Sequence, residues 1–323
     1  MPDPVLKAGQ MLVRVKACSV NHLDIWIRQG IPAYGIQLPH ISGCDVAGVV
    51  ERLGAGVSGV QVGDRVVLAP GLRCGRCEWC RVGHDNLCAS YGIRGAVTDG
   101  GYAERIGADA ADALPIPEGV SFEEAAAYPL VFLTAWHMLV TRAKLQAGQT
   151  VLIHAAGSGV GHAAVQIAKH LGARVLATVG SEAKISKAQA LGADEVLQPH
   201  RKDLVEWVKA LTGGHGVDVV FEHVGPDTWD ASIRTLAKGG CLVTCGATSG
   251  PSVSLDLRYV FSRQLSILGS MMGTRAELQA VTELIGAHRL RPLVDTVFPL
   301  RDARAAQERM LSRDVFGKLV LVP

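Results

Sequence analysis

From Thr150 onward, short apolar runs alternate with segments whose apolar residues recur every three to four positions. The runs are TVLIHA, ARVLATV, ADEVLQ, VDVVFEHV, GCLVTCG and LSILGS. Between most of them lie GHAAVQIAKHLG, SEAKISKAQALG, KDLVEWVKALTGG and DTWDASIRTLAKGG, several closing on the glycine that commonly stops a helix. This pattern predicts an α/β fold with six strands in a doubly wound parallel sheet. The first half has another rhythm. MLVRVKACSV, DVAGVVERLG and GDRVVLAP read as Val-rich strands with glycine turns and no helical period between them. They predict a small β domain, barrel-like or Greek-key. After Gly273, helical TRAELQAVTELIGAHR and RDARAAQERMLSRD flank strand LVDTVFPL, and GKLVLV is a last strand. The proline-marked LPIPEG at 114–119 predicts the main boundary, near 117.

Composition narrows the class. The 323 residues suit two domains, and a net charge of +2 offers no argument for nucleic acid or an anionic membrane. The longest apolar run, AAAYPLVFLTAWHMLV, is interrupted by Pro129 and His137 and falls short of the ~20 residues of a membrane span. MPDPVLKAGQ has no apolar signal segment. A cytoplasmic location is therefore expected, where thiols stay reduced and clustered cysteines favour metal over disulfide.

Two motifs carry chemistry. VLIHAAGSGVGHAAVQIAKHLGA is strand, glycine turn and helix. Gly157, Ser158, Gly159 and Val160 would present backbone amides and the positive helix end to a pyrophosphate. Alone the glycine spacing is a weak signal; on the first of six alternating strands it gains force. The second strand ends in Gly180 and Ser181 with Lys184 one turn on, and no carboxylate stands where a site for the unphosphorylated ribose needs one. NADPH is expected over NADH, with Glu182 read as an N-terminal charge complement. The carboxyl ends of the fifth and sixth strands, CGATSG and GSMMG, place Gly246, Ala247, Ser270 and Met271 toward the cofactor, with Met271 and Met272 as pocket wall or core. Cys74, Cys77, Cys80 and Cys88 are spaced x2, x2, x7 in a glycine-bearing loop. Four thiolates close a tetrahedron round one Zn²⁺ and leave no position for substrate, so the metal is structural. An iron–sulfur site or an empty reduced loop are the alternatives, and His84 is read as a surface residue.

With these residues in hand, the chain resembles the medium-chain dehydrogenase/reductase superfamily, the zinc alcohol dehydrogenases and their quinone-reductase relatives. The four-cysteine loop, GVGHAAVQIAK, LGAD and GDRV carry the likeness. It implies a GroES-like β domain over 1–117 with the zinc loop at 71–90. A Rossmann domain follows over 118–265, and 266–323 ends its sheet and returns to the first domain. Members usually carry about one more strand pair before a segment like LVRVKA. An uncovered edge of the β domain, or a mis-assigned start, is therefore expected here.

The resemblance also implies where a second, catalytic zinc would sit in the alcohol dehydrogenases. Those positions hold Asn21, Cys44 with Asp45, and Leu130, too few ligands for a zinc that needs three. The family's proton-relay positions hold Leu23 and Trp26, which pass no proton. His22, His40 and His137 read as packed or hydrogen-bonded histidines, His22 facing cofactor phosphates. VNHLDIWIRQG looks like the quinone-reductase branch, with Asn21 donating its amide to a substrate carbonyl or standing as a turn residue. Cys44 and Asp45 are catalytic candidates, or a buried small hydrophobe and a hydrogen-bonding strut. Thr134, Tyr34 and bulk water are the candidate proton donors. Lys318 reaches the cofactor or is a solvated strand lysine. The expected activity is NADPH-dependent, metal-free hydride transfer to quinones or α,β-unsaturated carbonyls. The rivals are an alcohol dehydrogenase with an atypical zinc on Cys44, Asp45 and a histidine, and a non-catalytic NADPH-binding protein. A small-molecule carbonyl or quinone is the expected partner, with no nucleic acid or membrane. A homodimer or homotetramer would form through the LSILGS edge.

Overall fold

Alternation along β1 (Gln10–Ser19) organises the first half: Met11, Val13, Val15 and Cys18 are buried while Arg14 and Lys16 face water. The structure, a computed structural model, describes residues 2–30, 35–199 and 203–323. Seven strands come before residue 116: β1, β2 (Asp45–Leu53), β3 (Arg65–Leu68), β4 (Gly71–Leu72), β5 (Gly92–Ile93), β6 (Arg105–Asp109) and β7 (Ala113–Pro115). Six follow in the middle: β8 (Thr150–Ile153), β9 (Arg174–Thr178), β10 (Glu195–Leu197), β11 (Val217–Glu222), β12 (Leu236–Thr244) and β13 (Ser266–Gly269). The last are β14 (Val294–Pro299) and β15 (Lys318–Val322).

The chain divides into two compact units, Met1–Leu133 with Gly273–Pro323, and Thr134–Met272. In the first, one sheet runs β14-β15-β1-β2-β3-β7, with β6 also paired to β1. Met11, Val13, Val46, Val50, Val66, Leu68 and Ile106 fill its core. β6 pairs with β1 alone, and a cavity of ≈ 800 Å³ lined by Pro4, Gln10, Tyr102, Arg105 and Ala108 lies beside it. In the second unit the six strands are all parallel, in the order β10-β9-β8-β11-β12-β13. Leu152, Leu176, Val220, Leu236 and Leu242 form its core with the covering helices. The predicted doubly wound sheet and β domain are both present.

Three details differ from the sequence reading. A helix, His22–Gln29, stands between β1 and β2 where no helical period was read. It is short, and its buried face includes Asp24 beside Leu23, Ile25 and Ile27, which breaks the apolar pattern. LAKGG belongs to β12 rather than to the preceding helix, which stops at Thr235. The compact units divide at 133/134, beyond the sequence boundary of 117/118, because the helix Phe122–Ala126 packs on β1 and β2. Likewise β13 stays with the second unit, and the return to the first begins at Gly273. No helix among the described residues is long and apolar enough to cross a membrane.

Candidate active site and metal centre

In the zinc loop, only Asp85 and Cys88 are buried between residues 71 and 90, so little apolar burial holds it. The four sulfurs of Cys74, Cys77, Cys80 and Cys88 all lie within 4.8 Å of one another. Bonds of ~2.3 Å to a tetrahedral zinc demand sulfurs about 3.8 Å apart, so the cage fits the ion. The Cys77 and Cys74 amides donate to Cys74 Sγ and Cys88 Sγ at 3.4 Å, and the Ser90 amide to Cys88 Sγ at 3.4 Å. Amides from Arg76 and Cys77 pull the Cys74 thiol down to about 6, while burial and its sulfur neighbours push Cys80 up to about 12. Four thiolates do not coexist here without a cation, and the donor set leaves no position for water. Asp85 anchors the loop to Arg73 (3.2 Å) and to the Arg275 amide (3.1 Å). His84 is exposed.

The second polar centre of this unit gathers residues from three strands and a helix start. Pairing of β1 with β2 sets Ser19 opposite Asp45, and pairing of β1 with β15 sets Ser19 opposite Val320. Lys318 therefore emerges beside Asn21, the residue before the first helix. Asp45 is fully buried and Asn21 is 6% exposed. Asp45 Oδ2 accepts from Ser19 Oγ (3.0 Å), Asn21 Nδ2 (2.8 Å) and Lys318 Nζ (3.3 Å), and Oδ1 from the Leu130 amide (2.8 Å). Asn21 Nδ2 also donates to Cys44 Sγ at 3.3 Å, and Asn21 Oδ1 accepts from Lys318 Nζ at 2.6 Å. Burial pushes the Cys44 thiol up, so it stays neutral.

These contacts sharpen the sequence reading. Asn21, Cys44 and Asp45 do meet. Both amide hydrogens of Asn21 already have partners, one of them only a thiol. Leu130 contributes its amide where a ligand was sought. Lys318 is 2% exposed, which corrects the solvated-lysine alternative, and its Nζ is taken by Asn21 and Asp45. A residue the sequence reading missed is Asp24, which accepts from the amides of Asn21 (2.7 Å) and Gly43 (3.0 Å) and from Tyr102 Oη (3.0 Å). It ties the chain before Asn21 to the chain before Cys44, and burial lifts its carboxyl to about 6. Its one sequence signal is an acid inside the apolar HLDIWI.

Among the described residues, the four-cysteine loop is the one group of three or more His, Cys, Asp or Glu placed to share an ion. His40 Nε2 bonds the Gly95 carbonyl at 2.8 Å, His22 is exposed 6.2 Å from the Trp26 ring, and His137 is buried in the second unit. Tyr34 lies outside the described residues.

The second unit carries the nucleotide turn. Ser158 caps the helix Gly159–His170, its Oγ accepting from the Gly161 amide at 2.9 Å. The amides of Gly159 and Val160 have no partner within the helix. A Cβ on Gly161 would lie 2.2 Å from the Ala155 carbonyl, so this glycine is required by the turn itself. Ala155 holds a left-handed φ of 46°, a conformation that a non-glycine residue keeps only when its surroundings impose it. The imposing groups are buried. Thr178 Oγ1 accepts from the Ala155 amide (3.1 Å) and meets His154 Nδ1 (3.3 Å), and His154 Nε2 meets Ser232 Oγ (2.8 Å). Ser232 in turn donates to Glu222 Oε2 at 2.9 Å. Glu222 also accepts from Thr228 Oγ1 (2.8 Å) and from the amides of Val224 (2.6 Å) and Gly225 (3.1 Å). None of this was read from the sequence.

The remaining cofactor candidates sit at the carboxyl ends of this sheet. Gly180 is exposed and Ser181 and Lys184 half-buried after β9. Gly246 and Ala247 follow β12 in a loop held to Val224 by the Ser249 amide (2.8 Å). Ser270 Oγ after β13 is a buried hydroxyl without a partner, a polar atom that suits a ligand. Met271 is 52% exposed while Met272 is buried, its Sδ 4.0 Å from Thr134 Oγ1. Required glycine, free helix amides and orphan hydroxyl together fit a dinucleotide.

The comparisons agree with this geometry. A family model described as zinc-binding dehydrogenase matches residues 159–287, and one for the alcohol dehydrogenase GroES-like domain matches 7–118. An alcohol dehydrogenase from Geobacillus stearothermophilus is 35% identical over 98% of this chain and 93% of its own. A quinone oxidoreductase from Salmonella typhimurium is 33% identical over 97% of this chain and 91% of its own. The crystal structure of an NAD-dependent alcohol dehydrogenase superposes with a TM-score of 0.97 at 46% identity, covering 100% of this chain and 94% of that one. The chain belongs to the medium-chain dehydrogenase/reductase superfamily and is an NAD(P)-dependent oxidoreductase with a four-cysteine zinc cluster.

Proposed function

We propose that the protein is an NADPH-dependent reductase of quinones or α,β-unsaturated carbonyls that works without a catalytic metal. One observation carries the reading. Where the family's alcohol dehydrogenases hold a second zinc, this chain has an amide, a neutral thiol and a carboxylate already neutralised by Lys318 at 3.3 Å. Gly157, Ser158, Gly159 and Val160 would hold the pyrophosphate, Ser181 and Lys184 the 2′-phosphate, and Gly246, Ala247, Ser270 and Met271 the nicotinamide side. Bound there, the reduced cofactor supplies a hydride for the β-carbon of the substrate. Asn21 then stabilises the negative charge on the carbonyl oxygen with the Nδ2 hydrogen that now faces Cys44, the substrate oxygen replacing the thiol as its acceptor while Oδ1 stays on Lys318. That exchange costs little, since a thiol is a weak acceptor. Thr134, Tyr34 or water returns the proton to the enolate α-carbon, or to the second oxygen of a quinone.

The names of the relatives favour a second reading, an alcohol dehydrogenase with a zinc on Cys44, Asp45 and a histidine, using NADH. Metal content and a substrate panel on one sample decide. About one zinc per subunit, NADPH oxidation with enones or quinones, and kcat lowered about 10²–10³-fold by Asn21→Ala support the reductase. Two zincs with turnover of simple alcohols overturn it. Self-association is proposed through β13, an edge strand with Ile267 and Met271 exposed beside it, giving a dimer or tetramer.

A further inference from the structure

Lys318 is the one interior ammonium at the candidate site, and neither the zinc cage nor the nucleotide turn uses it. Its position is fixed by strand register. β15 pairs with the end of β1 through Cys18 with Leu321 and Ser19 with Val320, and the Val20 amide donates to the Leu319 carbonyl at 2.9 Å. Lys318 is thereby held against Asn21, with 2% of its surface exposed.

The chemistry of the three partners allows one arrangement. An ammonium only donates, a carboxylate only accepts, and the Asn21 amide lies between them. Oδ1 must therefore face Lys318 (2.6 Å) and Nδ2 must face Asp45 (2.8 Å). The second Nδ2 hydrogen is left aimed toward Cys44 (3.3 Å), the weakest acceptor of the cluster. A charged donor on Oδ1 also draws electron density from the amide nitrogen and makes its hydrogens more positive. The effect is strong because the site is nearly dry.

We propose that Lys318 is a positioning residue for the reduction, which locks and polarises the Asn21 amide so that its Cys44-facing hydrogen becomes the oxyanion donor. The ammonium stands in for a Lewis acid at one remove: it acts on the substrate oxygen through Asn21 and does not touch it. This inference rests on Asn21 being the donor to the carbonyl oxygen.

The test is a cycle of Asn21→Ala, Lys318→Met, Lys318→Arg and the double variant, assayed with NADPH and trans-2-hexenal. Lys318→Met is expected to lower kcat on the order of tenfold, leave the NADPH KM within about twofold, and add nothing to Asn21→Ala in the double variant. Lys318→Arg restores most of kcat. A readout independent of turnover is the side-chain amide resonance of Asn21, assigned by its disappearance in Asn21→Ala. It moves in Lys318→Met and stays near its place in Lys318→Arg. If Lys318→Met proves unfolded, Lys318→Met with Asp45→Asn removes the ion pair as a unit and gives the same comparison. Multiplying effects in the double variant, a raised NADPH KM at unchanged kcat, or an unmoved Asn21 resonance overturns the role of Lys318 alone. Wild-type turnover by Asn21→Ala overturns Asn21 as the oxyanion donor, and the role of Lys318 with it, whereas no turnover of the enal by the unsubstituted protein overturns the reductase reading itself.

Discussion

Asp45 in the first unit and Glu222 in the second are both fully buried carboxylates at strand ends, and they are satisfied in opposite ways. Asp45 has a cation, Lys318, and side chains from several elements around it. Glu222 takes two backbone amides and two hydroxyls, all within ten residues of itself, with a neutral histidine behind Ser232. The same contrast runs through each unit. The first also sets Arg94 and Arg73 on Asp112 at 2.8 and 3.5 Å, and gathers four thiols that require a metal. The second fixes its strained nucleotide turn with neutral donors. A closed set of local neutral bonds shapes a loop and is finished. A cluster assembled from distant charges keeps one polar hydrogen on a poor acceptor, and the proposed reaction uses that hydrogen for the substrate oxygen.

Removing the metal gives the largest expected effect. In small zinc modules the ion supplies about 10–16 kcal/mol of folding free energy. The loop 71–90 buries only Asp85 and Cys88, so nothing apolar replaces that contribution. Chelation under reducing conditions should abolish hydrogen-exchange protection across 74–90 and be reversed by added zinc. Affinity for the nicotinamide cofactor, proposed to be held by the nucleotide turn of the second unit, should change less than about twofold. Melting of both units together would remove the distinction between them.

Glu222→Leu probes the other side. It takes the acceptor from the Val224 and Gly225 amides and the Ser232 hydroxyl, while Thr228 Oγ1 keeps the Gly225 carbonyl at 3.2 Å, at a cost of about 3–5 kcal/mol, the scale of breaking a buried charged network. Urea unfolding followed from the second unit should report that loss, and NADPH binding should weaken with it, because Ala155 is held through Thr178, His154 and Ser232. The zinc content should stay unchanged. Retained NADPH affinity at reduced stability would mean that the network supports the sheet but does not shape the turn.

What the sequence made legible was whatever is local. The six strands of the second unit stood out because parallel strands buried on both faces read as continuous apolar runs. The cysteine cage was legible because its ligands fall within fifteen positions. The Asn21–Lys318 contact spans 297 positions and depends on the register of β1 with β15, which no local pattern encodes. Glu222 and His154 stand at the ends of the runs VDVVFEHV and TVLIHA, where nothing local marks them out. Their burial follows from Ser232 and Thr228 on the covering helix, and helical spacing alone does not point those hydroxyls at a carboxylate. The helix His22–Gln29 was hidden by the same effect, since its inward Asp24 answers to Gly43 and Tyr102 as well as to its own helix start.

The smallest effect separates the units by pH. Burial holds His154 at about 4, so it is neutral in the folded second unit at pH 6, and burial lowers His223 as well. An unfolded histidine titrates near 6.5, so between that value and 4 the unfolded chain binds protons that the folded one does not. Stability from His154 is complete above about pH 6.5 and falls as the medium is acidified through that window, by at most about 2 kcal/mol at pH 5. Asp24 has the opposite sign. Its folded carboxyl, lifted to about 6, binds a proton between about 6 and 3.8 that the unfolded chain releases, so acidification through this range favours the folded first unit. Hydrogen exchange resolved by segment at pH 7 and pH 5 should therefore show protection lost in β8, β9 and β11 and kept in β1 and β2. His154→Gln should flatten the dependence in the second unit and leave the first untouched. Equal losses in both units at pH 5 would show that the buried histidine of one and the buried aspartate of the other do not govern their acid response.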